Sequence, residues 1–198
     1  MLGRAEFRNE LAPATSSPPR LTLAAAGGIL GLAAHMANVD YFLKIDGVDG
    51  ESTDAKHKNE ISVESFSWSE RQLDAGGGSG GGGGAGKVDP ADFQYTSRLT
   101  KASPRLLVAC ATGEHFKKAV LSGRKAGKAQ FEFLSITFTD VLVSSYATSD
   151  ASEDERTPTD QVSLSFASLR LAYKTQKADG SVDQTIVGGF DFKANKKI

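Results

Sequence analysis

A glycine-rich stretch in the first half of the chain carries residue types that could bind a phosphate. Residues 81–87 read G-G-G-G-A-G-K and fit the pattern G-x-x-x-x-G-K, whose backbone N–H groups wrap phosphates while the lysine reaches the outer ones. In such loops a Ser or Thr follows the lysine and holds magnesium, whereas here the next residue is Val88. A flexible arm between two strands is the favoured interpretation, and a nucleotide enzyme is the alternative.

The other residues that could perform catalysis do not form a recognisable pattern. His35, His57 and His115 are far apart in the chain, and no serine has the G-x-S-x-G context of a nucleophile. Cys110 is the single cysteine, which excludes an intrachain disulfide and a zinc site built from several cysteines. The acidic run at residues 153–155 is typical of a solvated loop. The sequence therefore predicts no enzyme, no cofactor and no metal site.

Charge and hydropathy exclude two classes of partner. With 23 basic and 24 acidic residues the net charge is −1, so nothing in the balance indicates nucleic-acid binding. The apolar run at residues 21–34 is too short to span a bilayer. The long segment before this run contains acidic residues, whereas the segment before the apolar region of a signal peptide is short and positively charged. We expect residues 1–36 to be a disordered leader, from a misplaced start codon or added for expression, and residues 37–198 to form the folded domain.

The elements that position any site are mostly strands, because apolar residues recur at every second position. This alternation predicts strands near residues 39–45, 61–68, 93–99, 116–122, 130–145, 162–173 and 186–192. A one-residue change of phase between Phe166 and Leu169 indicates a bulge or bend, and Asp179-Gly180 predicts a hairpin turn. Phe66 and Trp68 are expected to point into the core, opposite Ser65, Ser67 and Ser69.

One helix interrupts the strands. Ser103-Pro104 favours a helix start, Leu106, Leu107 and Cys110 follow at helical spacing, and Gly113 suits the end. Seven to eight strands with a single short helix predict a mainly β fold, either an antiparallel barrel or a sandwich.

The chain from residue 37 onward resembles the haemolysin-coregulated protein (Hcp) family of bacterial type VI secretion systems. The resemblance rests on the opening D-Y-F-L-K-I at residues 40–45, G-V-D-G-E-S at 47–52, F-S-W at 66–68 and the glycine-rich arm ending at Val88. Further matches are T-K-A-S-P at 100–104, R-K-A-G at 124–127, V-L-V-S-S at 141–145 and Q-K-A-D-G at 176–180.

The resemblance implies a closed antiparallel β-barrel with a helix on its side and an extended glycine-rich arm. It further implies that six subunits form a ring head to tail. Rings of this kind stack into a tube that is fired with a spike protein, is assembled inside a sheath, and carries effector proteins in its lumen. Such a subunit is cytoplasmic before firing and secreted afterwards, and it is not an enzyme. A monomeric β-barrel that binds small ligands is the alternative.

Two groups of residues are candidates for contacts with effectors, with neighbouring subunits and with adjacent rings. The polar face of the second strand would line the lumen and meet effectors, although an ordinary solvated sheet face is the alternative; its residues are Ser65, Ser67 and Ser69. Subunit and ring contacts are expected from the arm, from a basic hairpin tip and from the C-terminal segment; these residues are Asp74, Gly80, Gly86, Lys87, Arg124, Lys125, Gly127 and Lys193.

Overall fold

The computed structural model describes residues 39–72, 88–125, 130–150, 157–177 and 179–198. The predicted leader at 1–36 lies outside them. The described residues form twelve strands and one helix, which confirms the mainly β fold. Within them, no helix is long and apolar enough to cross a membrane. The elements are β1 Val39–Ile45, β2 Ile61–Val63, β3 Ser65–Ser67, β4 Glu70–Gln72, β5 Val88–Pro90, β6 Phe93–Arg98, α1 Ala102–Thr112, β7 His115–Lys125, β8 Phe131–Ser149, β9 Thr159–Ser165, β10 Ser168–Gln176, β11 Val182–Asp191 and β12 Lys196–Lys197.

Ten of the strands belong to one antiparallel sheet, with β4 and β5 forming a separate pair. The hydrogen-bonded order is β12-β11-β10-β8-β7-β1-β2, while β9 joins β8 to β6 and β6 pairs with β3. Strand β8 has three neighbours because its first part pairs with β7 and β10, and its second part pairs with β9 from Leu142 onward. The change of partner occurs beside Asp140, whose φ of 51° is a left-handed conformation that Asp tolerates.

The segment at residues 61–67 connects two parts of this sheet. Its first half, β2, pairs with β1, and its second half, β3, pairs with β6. Ile61 and Val63 are buried, but the next inward side chain is Phe66, so the alternation changes phase at Glu64. The prediction of one continuous strand at residues 61–68 was therefore wrong, because a regular strand would keep a period of two. The closed barrel stays a prediction.

The core lies between the inward faces of these strands. Phe93 and Phe138 are fully buried with their ring centroids 4.7 Å apart, and Phe93 also contacts Phe66 and Tyr95. Trp68 is only partly buried and packs at the edge of the core beside Phe166. The aromatic rings therefore fill the interior, since each buries a large apolar surface.

The helix packs against β8 and is held by a buried carboxylate. It begins at Ala102 with Lys101 as the N-cap, so the predicted start at Ser103-Pro104, with Ser103 as the capping residue, was wrong: Ser103 already lies inside the helix. The helix ends at Thr112 with Gly113 (φ 68°) as the C-cap, as predicted. Asp160 of β9, 1% exposed, accepts hydrogen bonds from Ser103 of the helix and from Tyr146 (3.0 Å) and Thr148 (2.7 Å) of β8. These three hydroxyl groups compensate the burial of the charge and tie α1 to both strands.

The predicted phase change after Phe166 corresponds to a break between two strands. Strand β9 ends at Ser165 and pairs with the second part of β8, whereas β10 begins at Ser168 and pairs with the first part of β8. The hairpin predicted at residues 179–180 is confirmed: it joins β10 to β11, and Gly180 has φ 88°.

Candidate functional site

Ser65 and Ser67 lie on an exposed polar face that four strands build together. Across β3, β6, β9 and β8 the pairing aligns Ser65 with Thr96, and Ser67 with Gln94, each pair continuing onto the next two strands. The two rows are Ser65, Thr96, Gln161, Ala147 and Ser67, Gln94, Ser163, Ser145. We refer to these eight residues as the polar face.

The polar face forms a shallow open groove of about 280 Å³ with no ionisable group exposed on it. Within it, the hydroxyl groups of Ser65 and Thr96 are 2.7 Å apart and form a hydrogen bond. Serine, threonine and glutamine each offer donors and acceptors, so the groove can exchange hydrogen bonds with many surfaces. Because it carries no charge, it selects neither acidic nor basic partners.

The side chains between these positions point inward and fix the orientation of the face. Phe66, Tyr95, Val162 and Tyr146 occupy the intervening row, and Tyr95 and Val162 are buried. Burial and the charge of Asp160 raise the pKa of the Tyr95 phenol, which therefore stays neutral. Since successive residues of a strand point to opposite faces, a packed inner row requires the polar row to face outward.

The three predicted serines are all exposed, but only two share the groove. Ser69 follows β3, where its carbonyl accepts a hydrogen bond from the N–H of Ala91, and it does not line the groove. Sequence reasoning missed the partners on the neighbouring strands. The signal was present as Q-x-T in β6 and Q-x-S in β9, alternating with apolar residues, but only the strand order places them beside Ser65 and Ser67.

Arg124 is not at an exposed hairpin tip, which corrects its predicted placement. It lies in β7, 4% exposed, with its guanidinium 5.1 Å from the centre of the Phe42 ring. Its Nη1 and Nη2 donate to Oδ1 (2.9 Å) and Oδ2 (2.7 Å) of Asp54. The hydrogen bond from Arg124 is the main cause that lowers the pKa of Asp54 far below its ordinary value. The guanidinium of Arg124 is thus engaged by contacts within this chain.

The remaining predicted contact residues are separated in space or lie outside the described residues. Lys125 ends β7, with Nζ 5.9 Å from the centre of the Phe133 ring. Lys193 lies near the opposite end of β7, where its Nζ is 3.7 Å from Asp140, which also pairs with His115 at 2.8 Å. Mainly through His115, the pKa of Asp140 is lowered. The predicted contact residues outside the described ranges are Asp74, Gly80, Gly86, Lys87 and Gly127.

In the part of the chain that the structure describes, we find no arrangement of side chains that supports catalysis. In these residues no group of three His, Cys, Asp or Glu side chains could hold a metal ion. Strand β5 begins at Val88, directly after the lysine of the phosphate-binding pattern. A helix would be required there, because the helix N-terminus contributes to phosphate binding. This geometry argues against the nucleotide alternative.

Comparisons with a family model and with a known protein point to the same family. The family described as type VI secretion system effector, Hcp, matches residues 42–173. The chain is 44% identical to Protein hcp1 of Pseudomonas aeruginosa over 147 residues, which cover 73% of this chain and 89% of that protein.

Two solved structures extend the likeness to the fold. The crystal structure of Hcp1 from Salmonella typhimurium has a TM-score of 0.67 at 40% identity, covering 81% of this chain and 99% of that one. A type VI secretion system effector from Yersinia pestis has a TM-score of 0.61 at 33% identity, covering 77% and 99%. Since the family match spans most of the chain and the fold agrees, this protein belongs to the Hcp family of type VI secretion system effectors.

Proposed function

We propose that this chain is the subunit of the type VI secretion inner tube, forming homohexameric rings that stack and carry effector proteins. The observation that carries the proposal is the polar face: an uncharged surface built from four strands, with Ser65 and Ser67 in its two rows. A lumen must hold a cargo and then release it. Neutral hydroxyl and amide groups suit this task, because their hydrogen bonds are weak in net terms and readily exchanged with water.

A closed barrel is part of the proposal. The segment at residues 61–67 pairs with β1 through its first half and with β6 through its second half. The series β1-β7-β8-β9-β6 then returns to the same segment. Closure removes the exposed edges of those strands, which would otherwise invite pairing with other chains. The interior is occupied by rings such as Phe93 and Phe138, which leaves a monomeric ligand-binding barrel without support.

The contacts between subunits and rings are proposed for three regions. The glycine-rich arm, with Asp74, Gly80, Gly86 and Lys87, would contact a neighbouring copy. Residues near the two ends of β7, Lys125 with Gly127 and Lys193, would meet the rings above and below. The proposed partners are the spike protein, the sheath during assembly and effectors in the lumen, and the chain would be cytoplasmic before it is secreted. The role is structural, without catalysis.

The experiment that tests the proposal is negative-stain electron microscopy of the purified protein, with light scattering on the same sample. We expect six-fold rings and a mass near six subunits, unaffected by added ATP. A uniform monomer in both the full chain and a version starting at Met36 would overturn the tube function. Rings that form only from the shorter version would assign the interference to the first residues and leave the proposal intact.

A further inference from the structure

Two glutamines on the polar face have side-chain amides that the described part of the chain leaves without a hydrogen-bond partner. Gln94 of β6 and Gln161 of β9 are both exposed, and both line the groove. By contrast, the hydroxyl groups of Ser65 and Thr96 bond to each other. Each glutamine amide offers two donors and one carbonyl acceptor, so these two side chains hold the largest unused hydrogen-bonding capacity of the groove.

The strand register sets the spacing between the two glutamines. Gln94 lies opposite Ser163 and Gln161 lies opposite Thr96, so the glutamines are diagonal neighbours across β6 and β9. Diagonal neighbours in an antiparallel pair are about 7–8 Å apart. An extended chain rises about 3.3 Å per residue, so the peptide groups on one of its sides recur about every 7 Å. The two side chains therefore match the repeat of an extended backbone.

The backbone of these strands is not available to recognise a partner. Strand β6 is paired on both sides, with β3 and β9, and β9 is paired with β6 and β8. Their N–H and C=O groups are thereby used within the sheet. A partner on this face is contacted by side chains, which differs from the addition of a strand to a free sheet edge. Because Tyr95 and Val162 are buried beneath the face, the two glutamines project from a firmly packed base.

We propose that Gln94 and Gln161 bind the backbone of an extended, uncharged segment of an effector. The inference rests on the proposed function, since it names what the polar face recognises. Each amide can donate to a C=O of the segment and accept from its N–H. Ser67 and Ser163 share the row of Gln94, and their short side chains leave room for the segment beside it. Because the backbone is the same in every protein, one site can accept effectors of different sequence.

A peptide with a modified backbone tests which groups are recognised. The probe is a short peptide of alternating threonine and alanine, blocked at both ends, and saturation transfer from the protein to the peptide is measured by NMR. We expect transfer to this peptide and little transfer to a version with methylated backbone nitrogens, which lacks the donors and keeps the side chains. Salt should have no effect, since no charge takes part. No transfer to the plain peptide, or equal transfer to both, would overturn the inference.

Two variants test the glutamines themselves. Gln94→Met and Gln161→Met keep the length of the side chain and remove its hydrogen bonds. We expect each to weaken binding of the plain peptide about three- to tenfold, with unchanged circular dichroism. The matched control is Gln184→Met, because Gln184 is an exposed glutamine of β11 that does not line this groove. If both variants bind the peptide as tightly as the control, the assignment of the glutamines is wrong.

The failure of this inference is distinguishable from the failure of the tube function, because the groove lies within one subunit and the peptide assay does not require rings. If the chain forms rings and the peptide does not bind, the inference is wrong and the tube function stands. If no rings form and the glutamine variants still lose the peptide, the tube function is wrong and the backbone site stands.

Discussion

Arg124 and Asp54, seventy residues apart in the chain, form a two-point ion pair of 2.9 and 2.7 Å. The pair fastens the loop after Gly50 to strand β7, and the same loop places His57 in a stack on Phe42, with ring centroids 4.4 Å apart. A planar guanidinium suits this role because its fork matches both oxygens of a carboxylate. The loop is therefore held by a charged contact that titrates in acid.

Asp54→Asn should lower the stability of the subunit in a way that depends on pH. Because Arg124 lowers the pKa of Asp54 from the ordinary 3.8, the pair stabilises the folded state fully above that value. As the pH falls further, protonation removes the contribution. The difference in unfolding free energy between the wild type and Asp54→Asn, measured with urea, should be constant at neutral pH and shrink below about pH 4. A difference that stays constant down to pH 2 would contradict this account.

Gly50→Ala should destabilise the same loop by a steric effect. A Cβ at residue 50 would lie 2.3 Å from the carbonyl oxygen of Glu60, so the backbone must move. Overpacking of this kind costs about 1–3 kcal/mol, measured by chemical denaturation. The matched control is Gly188→Ala, whose Cβ meets no atom within 4 Å and which should leave the stability within about 1 kcal/mol of the wild type. Equal effects of the two changes would refute the steric explanation.

Ser67→Gln should reduce the co-purification of effectors while leaving the rings intact. The longer side chain projects from the row that Ser67 shares with Gln94 and Ser163, and it would narrow the groove. The control is Ser62→Gln, an exposed serine of β2 that does not line this groove. The measurement is the yield of bound effector after affinity purification, with ring formation checked by microscopy. An unchanged yield would argue that the polar face is an ordinary solvated surface.

Deletion of residues 76–84 should leave the domain folded and weaken the assembly of rings or tubes. The deleted stretch is almost entirely glycine and contributes no apolar residue that a core could use. Circular dichroism should therefore be unchanged, while light scattering should report a smaller mass at the same concentration. If the shortened chain assembles as fully as the wild type, the arm is only a linker and makes no contribution to assembly.

Much of the fold follows from local pattern, because a period of two is visible in the sequence. The strands around Tyr41, Phe93 and Val162 and the end of the helix at Gly113 are found where alternation and turn residues predict them. The division at Glu64 was not predictable, since it depends on which neighbour each half of the segment pairs with.

The site was predictable only in part for the same reason. The exposure of Ser65 and Ser67 follows from the alternation with Phe66. Their neighbours come from strands that are distant in the sequence, so the register of the sheet is needed to place Gln161 beside them. Arg124 was misplaced because a basic residue near a glycine resembles a turn, and its partner Asp54 is too far along the chain for any local pattern to reveal.

The segment at residues 61–67 has a consequence for how the subunit responds to force. Peeling it from β1 leaves it attached to β6, and peeling it from β6 leaves it attached to β1. Opening of one half breaks only its own hydrogen bonds, so the segment as a whole is released only when both pairings are lost. Under mechanical load such a double attachment is an advantage, since the loss of one set of hydrogen bonds leaves the segment attached through the other.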